Sequence, residues 1–351
     1  MKRRILVAGP LLVLVALAAW LVRPRREVIG QAYVSARTAT LWDSRAQVHE
    51  AVTTVRFGDK VDIVSRRGDQ ARVRTAAGAT GWVDAQALME PGLWQRSEQL
   101  LEKARSTPVQ ARGRTKVPTN VRVEPGRSAP RLYQFNRGAT VEVVARAVAD
   151  WTQNSEEKEG GGEQEEVKKE DWFLVRGTAS RRAEENALEA AEGPAAEGEE
   201  QGVPVAGWVV ARFVELDLPD AIREGALASG MRVLAWFELN RVQDPSGEMP
   251  QYLAAGTRGP EGQPCDFTML RVYTWSKARE RYETAYMESD LCGQLPVRVS
   301  KFPGGGAEFR FAEMGGASGS ERMYRLRQTI VRRVGGPGGR ELRAGHGFSA
   351  K

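Results

Sequence analysis

The residues Ala206-Gly207-Trp208-Val209 have a twin at Thr80-Gly81-Trp82-Val83, and each copy closes a run of short apolar segments separated by turn residues. This tandem pattern constrains the chain more than any other feature. Two stretches with the same order of segments fold alike, and what lies outside them is addition. In the first stretch, Val28 to Met89, Ala32-Tyr33-Val34 opens a strand and Val52 to Arg56 forms another. Phe57-Gly58-Asp59 and Arg67-Gly68-Asp69 are turns, and Ala71-Arg72-Val73-Arg74 alternates apolar and charged residues as a half-buried strand does. Many short strands joined by close turns imply a small barrel or sandwich.

The second stretch, residues 115–220, repeats this order. Thr119-Asn120-Val121-Arg122 opens it, Asn136-Arg137-Gly138-Ala139-Thr140-Val141 carries the turn, and Asp171-Trp172-Phe173-Leu174-Val175-Arg176 precedes Gly207-Trp208-Val209. Together with Gly58-Asp59-Lys60-Val61 and Arg72-Val73-Arg74 of the first copy, these segments resemble the bacterial SH3 (SH3b-like) family. In that family a G-D-x-V turn, a W-x-x-V strand and a closing G-W-V follow in that order. The resemblance implies two small SH3-like β-barrels, at 28–89 and 115–220, that bind cell-wall peptides or other envelope partners. The first copy departs from the family at Ala71 and at Leu41-Trp42.

Gly58 and Gly81 stand close in sequence, whereas Gly138 and Gly207 stand far apart. Two acidic inserts, about 149–170 and 180–202, absorb the difference. Their Glu, Gly and Ala content buries too little apolar surface to offset the entropy of ordering, so disordered loops are expected. Residues 90–114 form a helical linker. Leu93, Leu100, Leu101 and Ala104 fall at helical spacing, and Pro91 and Pro108 bracket them.

The chain has 351 residues, room for two or three domains. Its start reads as a targeting segment, residues 1–26. Lys2, Arg3 and Arg4 precede the apolar run Ile5 to Val22, which ends at Arg23-Pro24-Arg25-Arg26. A transmembrane signal anchor over 5–22 is expected, or a secreted chain if Ala16-Leu17-Ala18 is a cleavage site. The body is placed outside the cytoplasm, in the periplasm or at the cell surface. Residues 222–334 form an antiparallel β domain. Its strands are Met231 to Leu239, Gln251 to Ala255, a hairpin of Phe267–Trp275 with Arg281–Met287, Leu295–Lys301, Ala307–Phe311 and one long strand Arg322–Val334. A flexible tail, 335–351, completes a mainly β chain.

The chemistry-bearing residues are few. His49 and His346 are the only histidines, and Cys265 and Cys292 the only cysteines, so neither a metal nor a cofactor is expected. The net charge of +6 comes from scattered basic residues, which gives no nucleic-acid partner. Asp266, Glu280, Glu283, Glu288 and Asp290 cluster in sequence without the specificity of a glycosidase pair. Trp42, Trp82, Trp172 and Trp208 are aromatic anchors, either packed in the cores or forming groove walls for a peptide or glycan. Cys265 and Cys292 flank the two ends of the hairpin. They bridge in an oxidising compartment, or stay as buried thiols otherwise. The expected function is a membrane-anchored, non-enzymatic envelope protein binding peptidoglycan or an envelope protein. The alternative is an envelope enzyme with its active site in the C-terminal β domain.

Overall fold

The glycine of each G-W-V triplet sits where two strands come too close for a side chain. A Cβ at Gly81 would lie 2.8 Å from Leu41 Cβ and 2.9 Å from the Trp42 carbonyl oxygen. A Cβ at Gly207 would lie 2.4 Å from Val121 Cγ1 and 2.8 Å from the Arg122 carbonyl oxygen. The same close approach therefore organises both repeats. A computed structural model of the chain describes residues 27–151, 168–179, 202–302, 306–315 and 321–334. It divides into two compact units.

The first unit is one antiparallel sheet of seven short strands: β1 (Gly30–Val34), β2 (Thr38–Trp42), β3 (Ala51–Arg56), β4 (Lys60–Arg67), β5 (Gln70–Thr75), β6 (Thr80–Asp84) and β7 (Leu88–Met89). Their spatial order is β3-β2-β6-β5-β4-β1-β7. Alternation along β5 buries Ala71 and Val73 and turns Arg72 and Arg74 outward, with Leu41, Val61 and Ile63 completing the core.

The second unit begins with helix α1 (Pro91–Ser106) and a second seven-stranded sheet. Its strands are β8 (Ala111–Thr115), β9 (Thr119–Arg122), β10 (Arg131–Phe135), β11 (Thr140–Asp150), β12 (Lys169–Ala179), β13 (Val203–Val210) and β14 (Val214–Leu216). Their order, β10-β9-β13-β12-β11-β8-β14, is that of the first sheet strand for strand. Even the irregularities agree, with a register shift after Ile63 in one sheet and after Val143 in the other.

The expected barrels and membrane helix need correcting. Neither sheet closes on itself. Closure needs paired edge strands, but the edges of the first sheet are β3, exposed along most of its length, and the two-residue β7. The anchor over 5–22 lies outside the described residues. No helix among the described residues is long and apolar enough to cross a membrane. The transmembrane element is therefore no part of the observed fold. The two inserts also fall outside the described residues except at their edges, where β11 runs through Asp150 and β12 starts at Lys169. The tail 335–351 lies outside as well. β8 begins at Ala111, inside the stretch expected as linker.

The C-terminal part opens with a helix the sequence reading omitted, α2 (Asp220–Ser229). Pro219 precedes it, and Gly230 ends it at φ 63, the left-handed conformation that suits glycine. Two four-stranded meanders follow. One contains β15 (Arg232–Asp244), β16 (Gly247–Thr257), β17 (Met269–Ser276) and β18 (Arg281–Glu288). The other contains β19 (Gly293–Phe302), β20 (Gly306–Glu313), β21 (Glu321–Arg327) and β22 (Ile330–Val334). The single strand expected over Arg322–Val334 is thus a hairpin. Gln328 takes φ 51 at its turn, so Val331 is buried while Ile330 points out.

The meanders pack face to face over Leu253, Leu270, Val272, Phe309, Phe311 and Tyr324. Each such side chain contributes about 1.5–3 kcal/mol on burial. Helix α2 lays Ile222 and Ala226 on the outer face of the first meander, against Ala254 and Tyr273.

Within the second unit, the seven-stranded sheet and the C-terminal part are locked together. Gln110, fully buried, donates to the Val297 carbonyl at 3.2 Å and accepts from the Val297 N–H at 2.7 Å. Arg146 sits deeper. It donates to Asp171 at 2.5 Å, to Asp266 at 3.0 Å, and to the carbonyls of Gln263 and Cys265 at 2.8 and 3.2 Å. Asp171, with no exposed side-chain surface, also accepts from Arg232 at 2.6 Å and from the Gly262 N–H at 2.8 Å. Burial works to raise the Asp171 pKa, but these hydrogen bonds outweigh it and hold the group below the ordinary carboxylate range. Burial dominates at Asp266, whose pKa is raised against the Leu295 N–H and Arg146.

Candidate functional site

In the first unit, Trp42 on β2 and Trp82 on β6 are directly opposite across the close strand approach at Gly81. Both are half-buried. The loop after Trp42 folds over them by its own hydrogen bonds. Asp43 accepts from the Glu50 N–H at 3.0 Å, and the Asp43 N–H donates to the Glu50 carbonyl at 3.1 Å. The Glu50 N–H is the main reason the Asp43 pKa is lowered. This closure sets His49 edge-on to Trp42, with ring centroids 4.2 Å apart, and Arg45 over Trp82 at 5.3 Å. Gln70 accepts from Arg45 Nε at 3.0 Å and fixes the guanidinium there. Val48, 88% exposed, stands at the loop tip. The result is an aromatic shelf bordered by a cation, an imidazole and an exposed apolar residue. It suits a ligand with one apolar and one polar face.

The same position in the second sheet is built differently. Arg122 takes the place of Trp42, opposite Trp208. Helix α1 packs Leu100, Leu101 and Ala104 onto Val144, Leu174 and Ala206, and Trp208, itself half-buried, packs against the same cluster. Arg176 ties the end of the helix down, donating to the Ala104 carbonyl at 3.2 Å and to Glu142 at 2.6 Å. Trp172 lies in the core, 1% exposed. Of the four tryptophans, then, Trp42 and Trp82 form a shelf, Trp208 packs against the cluster that seats α1, and Trp172 is interior.

Two features of the C-terminal part escaped the sequence reading. The first is a row of half-buried rings on the outer face of β15–β18. Trp236 meets Tyr252 at 6.1 Å, Tyr252 meets Tyr282 at 5.9 Å, and Tyr282 meets Trp275 at 5.3 Å. Burial, then Tyr252 and Glu238, push the Tyr282 pKa up to about 12. The signal was present in the strand alternation, but the row appears only once the register of four strands is known. The second feature surrounds Glu288, whose carboxylate accepts from Tyr286 Oη at 2.5 Å, Tyr324 Oη at 2.8 Å and Arg322 at 2.8 Å. Burial and Glu288 raise both tyrosine pKa values.

The remaining acidic residues near it in sequence do other work. Asp266 holds Arg146, Glu283 pairs with Arg279 and Arg281, and Glu280 and Asp290 occupy positive-φ positions. Cys265 and Cys292 form a disulfide with Cα atoms 4.8 Å apart. It closes beside the bridge of Phe267 to Gly293 at the start of β19, and Cys265 offers its carbonyl to Arg146.

No family model matches the chain, and no curated protein does. Several solved structures do. A NlpC/P60 family protein from Bacillus cereus is 10% identical, with 73% of this chain and 93% of that one covered, at a TM-score of 0.21. NlpC2 from Trichomonas vaginalis is 8% identical (74% and 97% covered, TM-score 0.17), and NlpC1 from the same organism 6% identical (73% and 87% covered, TM-score 0.16). These are named as NlpC or NlpC/P60 family proteins. That family is usually composed of peptidoglycan hydrolases, so the expectation of a non-enzymatic chain is withdrawn. At such TM-scores no activity is carried across. Both cysteines of this chain are bonded to each other, so this disulfide form offers no thiolate nucleophile.

Proposed function

We propose that the chain is a cell-envelope protein that holds peptidoglycan, or a peptide of an envelope partner, on the Trp42–Trp82 shelf of its first repeat. The observation carrying this reading is the difference between the repeats. The first sheet pairs two half-buried tryptophans under its own 43–50 loop, and in the second sheet Arg122 replaces one of the pair while Trp208 packs in the cluster that seats α1. The resemblance of both repeats to the bacterial SH3 family supports it, with sheets that stay open in place of closed barrels. The Cys265–Cys292 disulfide supports a location outside the cytoplasm, because oxidising compartments are where such bonds persist. The test is co-sedimentation of the full chain with purified peptidoglycan sacculi. Trp42→Ala with Trp82→Ala should lower the bound fraction at least about tenfold, since anchor aromatics carry most of such binding energy. Equal pelleting of this variant would end the reading.

An envelope enzyme acting from the C-terminal β domain is the second reading, and the Glu288 cluster favours it. A carboxylate held by two phenols and a guanidinium is positioned as acid–base groups are. Release of soluble fragments from sacculi by the native chain, abolished in Glu288→Gln, would establish it.

A further inference from the structure

Among the described residues, the end of the second sheet where β11 and β12 meet carries more positive charge than the acids there neutralise. Trp151 lies at its centre with three cations around the indole: Lys168 Nζ at 4.3 Å, Arg127 at 5.1 Å and Arg212 at 5.8 Å. Beneath them Glu170, 2% exposed, accepts two bonds from Arg127 at 2.9 and 3.0 Å and one from Arg212 at 2.9 Å. Arg212 reaches Glu261 as well, at 3.3 Å. Beside this cluster Arg122 and Arg131 stand directly opposite each other on β9 and β10. Like charges so placed repel. Burial, then Arg131 and Arg127, lower the Arg122 pKa. Neither Arg122 nor Arg131 has a carboxylate in ion-pair range among the described residues. Arg122 donates to the Ala129 carbonyl, which holds its side chain in place.

We propose that this surface docks a glutamate- or aspartate-rich segment of a partner protein. Glu170 already displays the chemistry, a carboxylate gripped by a bidentate arginine and a second guanidinium. Arg122 and Arg131 extend the same chemistry outward to carboxylates from another chain. Nucleic acid fits less well, because base stacking needs a free aromatic face and the Trp151 ring is engaged by three cations. A bilayer fits less well too, since none of the exposed large hydrophobic side chains belongs to this cluster. The surface belongs to the second unit and the Trp42–Trp82 shelf to the first, and the proposal does not depend on that reading.

The test is fluorescence anisotropy of a labelled short polyglutamate peptide titrated with the full chain, at low and at physiological salt. Binding that weakens with salt is expected. Arg122→Gln with Arg131→Gln should weaken it at least about tenfold, while Trp42→Ala with Trp82→Ala leaves it unchanged. Removing the opposed arginines should leave the thermal midpoint equal or higher, which separates lost docking from lost folding. No binding, equal affinity of the arginine variant, or tighter binding of polyphosphate or single-stranded DNA of matched charge would each overturn the proposal.

Discussion

Asp171 is the residue on which the second unit depends most heavily. Its carboxylate is fully buried and takes bonds from Arg146, Arg232 and the Gly262 backbone. Asp171→Asn leaves two guanidiniums facing a neutral amide, and urea unfolding should show a loss of about 3 kcal/mol. Because the folded pKa of Asp171 is lowered, its contribution is present above the unfolded value of about 3.9 and is lost as pH falls through the folded value. The gap between native protein and Asp171→Asn should therefore close below about pH 4. Asp266 has the opposite sign. Its pKa is raised, so what it adds is present at low pH and lost as pH rises through that raised value. A gap that persists unchanged into strong acid would contradict this account of Asp171. Gly207→Ala makes a second prediction at this scale. The new Cβ would press on Val121 Cγ1 and the Arg122 carbonyl, so denaturant unfolding should show a loss of about 1–3 kcal/mol. An unchanged midpoint would mean the strands can part freely.

Among the elements, the disulfide and the loop it closes have the clearest consequence. Cys265 and Cys292 are 27 positions apart, and closing a loop of that length contributes about 3.5 kcal/mol in the chain-entropy model. Cys265→Ser with Cys292→Ser should lower stability by about that amount. Hydrogen exchange should rise first around Gly262–Asp266, where Arg146 holds the loop. An equally stable variant would remove the bridge from the energetics. Much at this scale was legible in the sequence. Ala71-Arg72-Val73-Arg74 alternates on the page as it does in β5, and the paired triplets at 81–83 and 207–209 lie on corresponding strands. Helix α2 was missed although Pro219 and Gly230 bracket it, because its apolar positions are mostly alanine and give a weak period. The β21–β22 turn was missed because Gln328 and Thr329 are not turn-forming types, and a hairpin with such a turn imitates one long strand.

For the whole molecule, one repeated sheet pattern serves two ends. The first repeat keeps a paired aromatic shelf, and the second uses the equivalent face to seat α1 and its far end to join the C-terminal meanders. Tryptophans are visible in any sequence, but what each of them packs against is not. Leu100, Leu101 and Ala104 share one cluster with Trp208 from a helix more than a hundred positions away. The buried acids were illegible for a similar reason. Glu170 reads as the edge of an acidic insert until Arg127 and Arg212 are brought to it by β-sheet register. The central claim is that ligand meets the chain at Trp42 and Trp82. The direct measurement is a titration of soluble peptidoglycan fragments into the isotope-labelled full chain, following the assigned indole N–H resonances. The account predicts saturable shifts at Trp42 and Trp82, with Trp172 and Trp208 unmoved. Shifts confined to Trp208, Trp236 or Trp275, or none at saturating fragment, would contradict it.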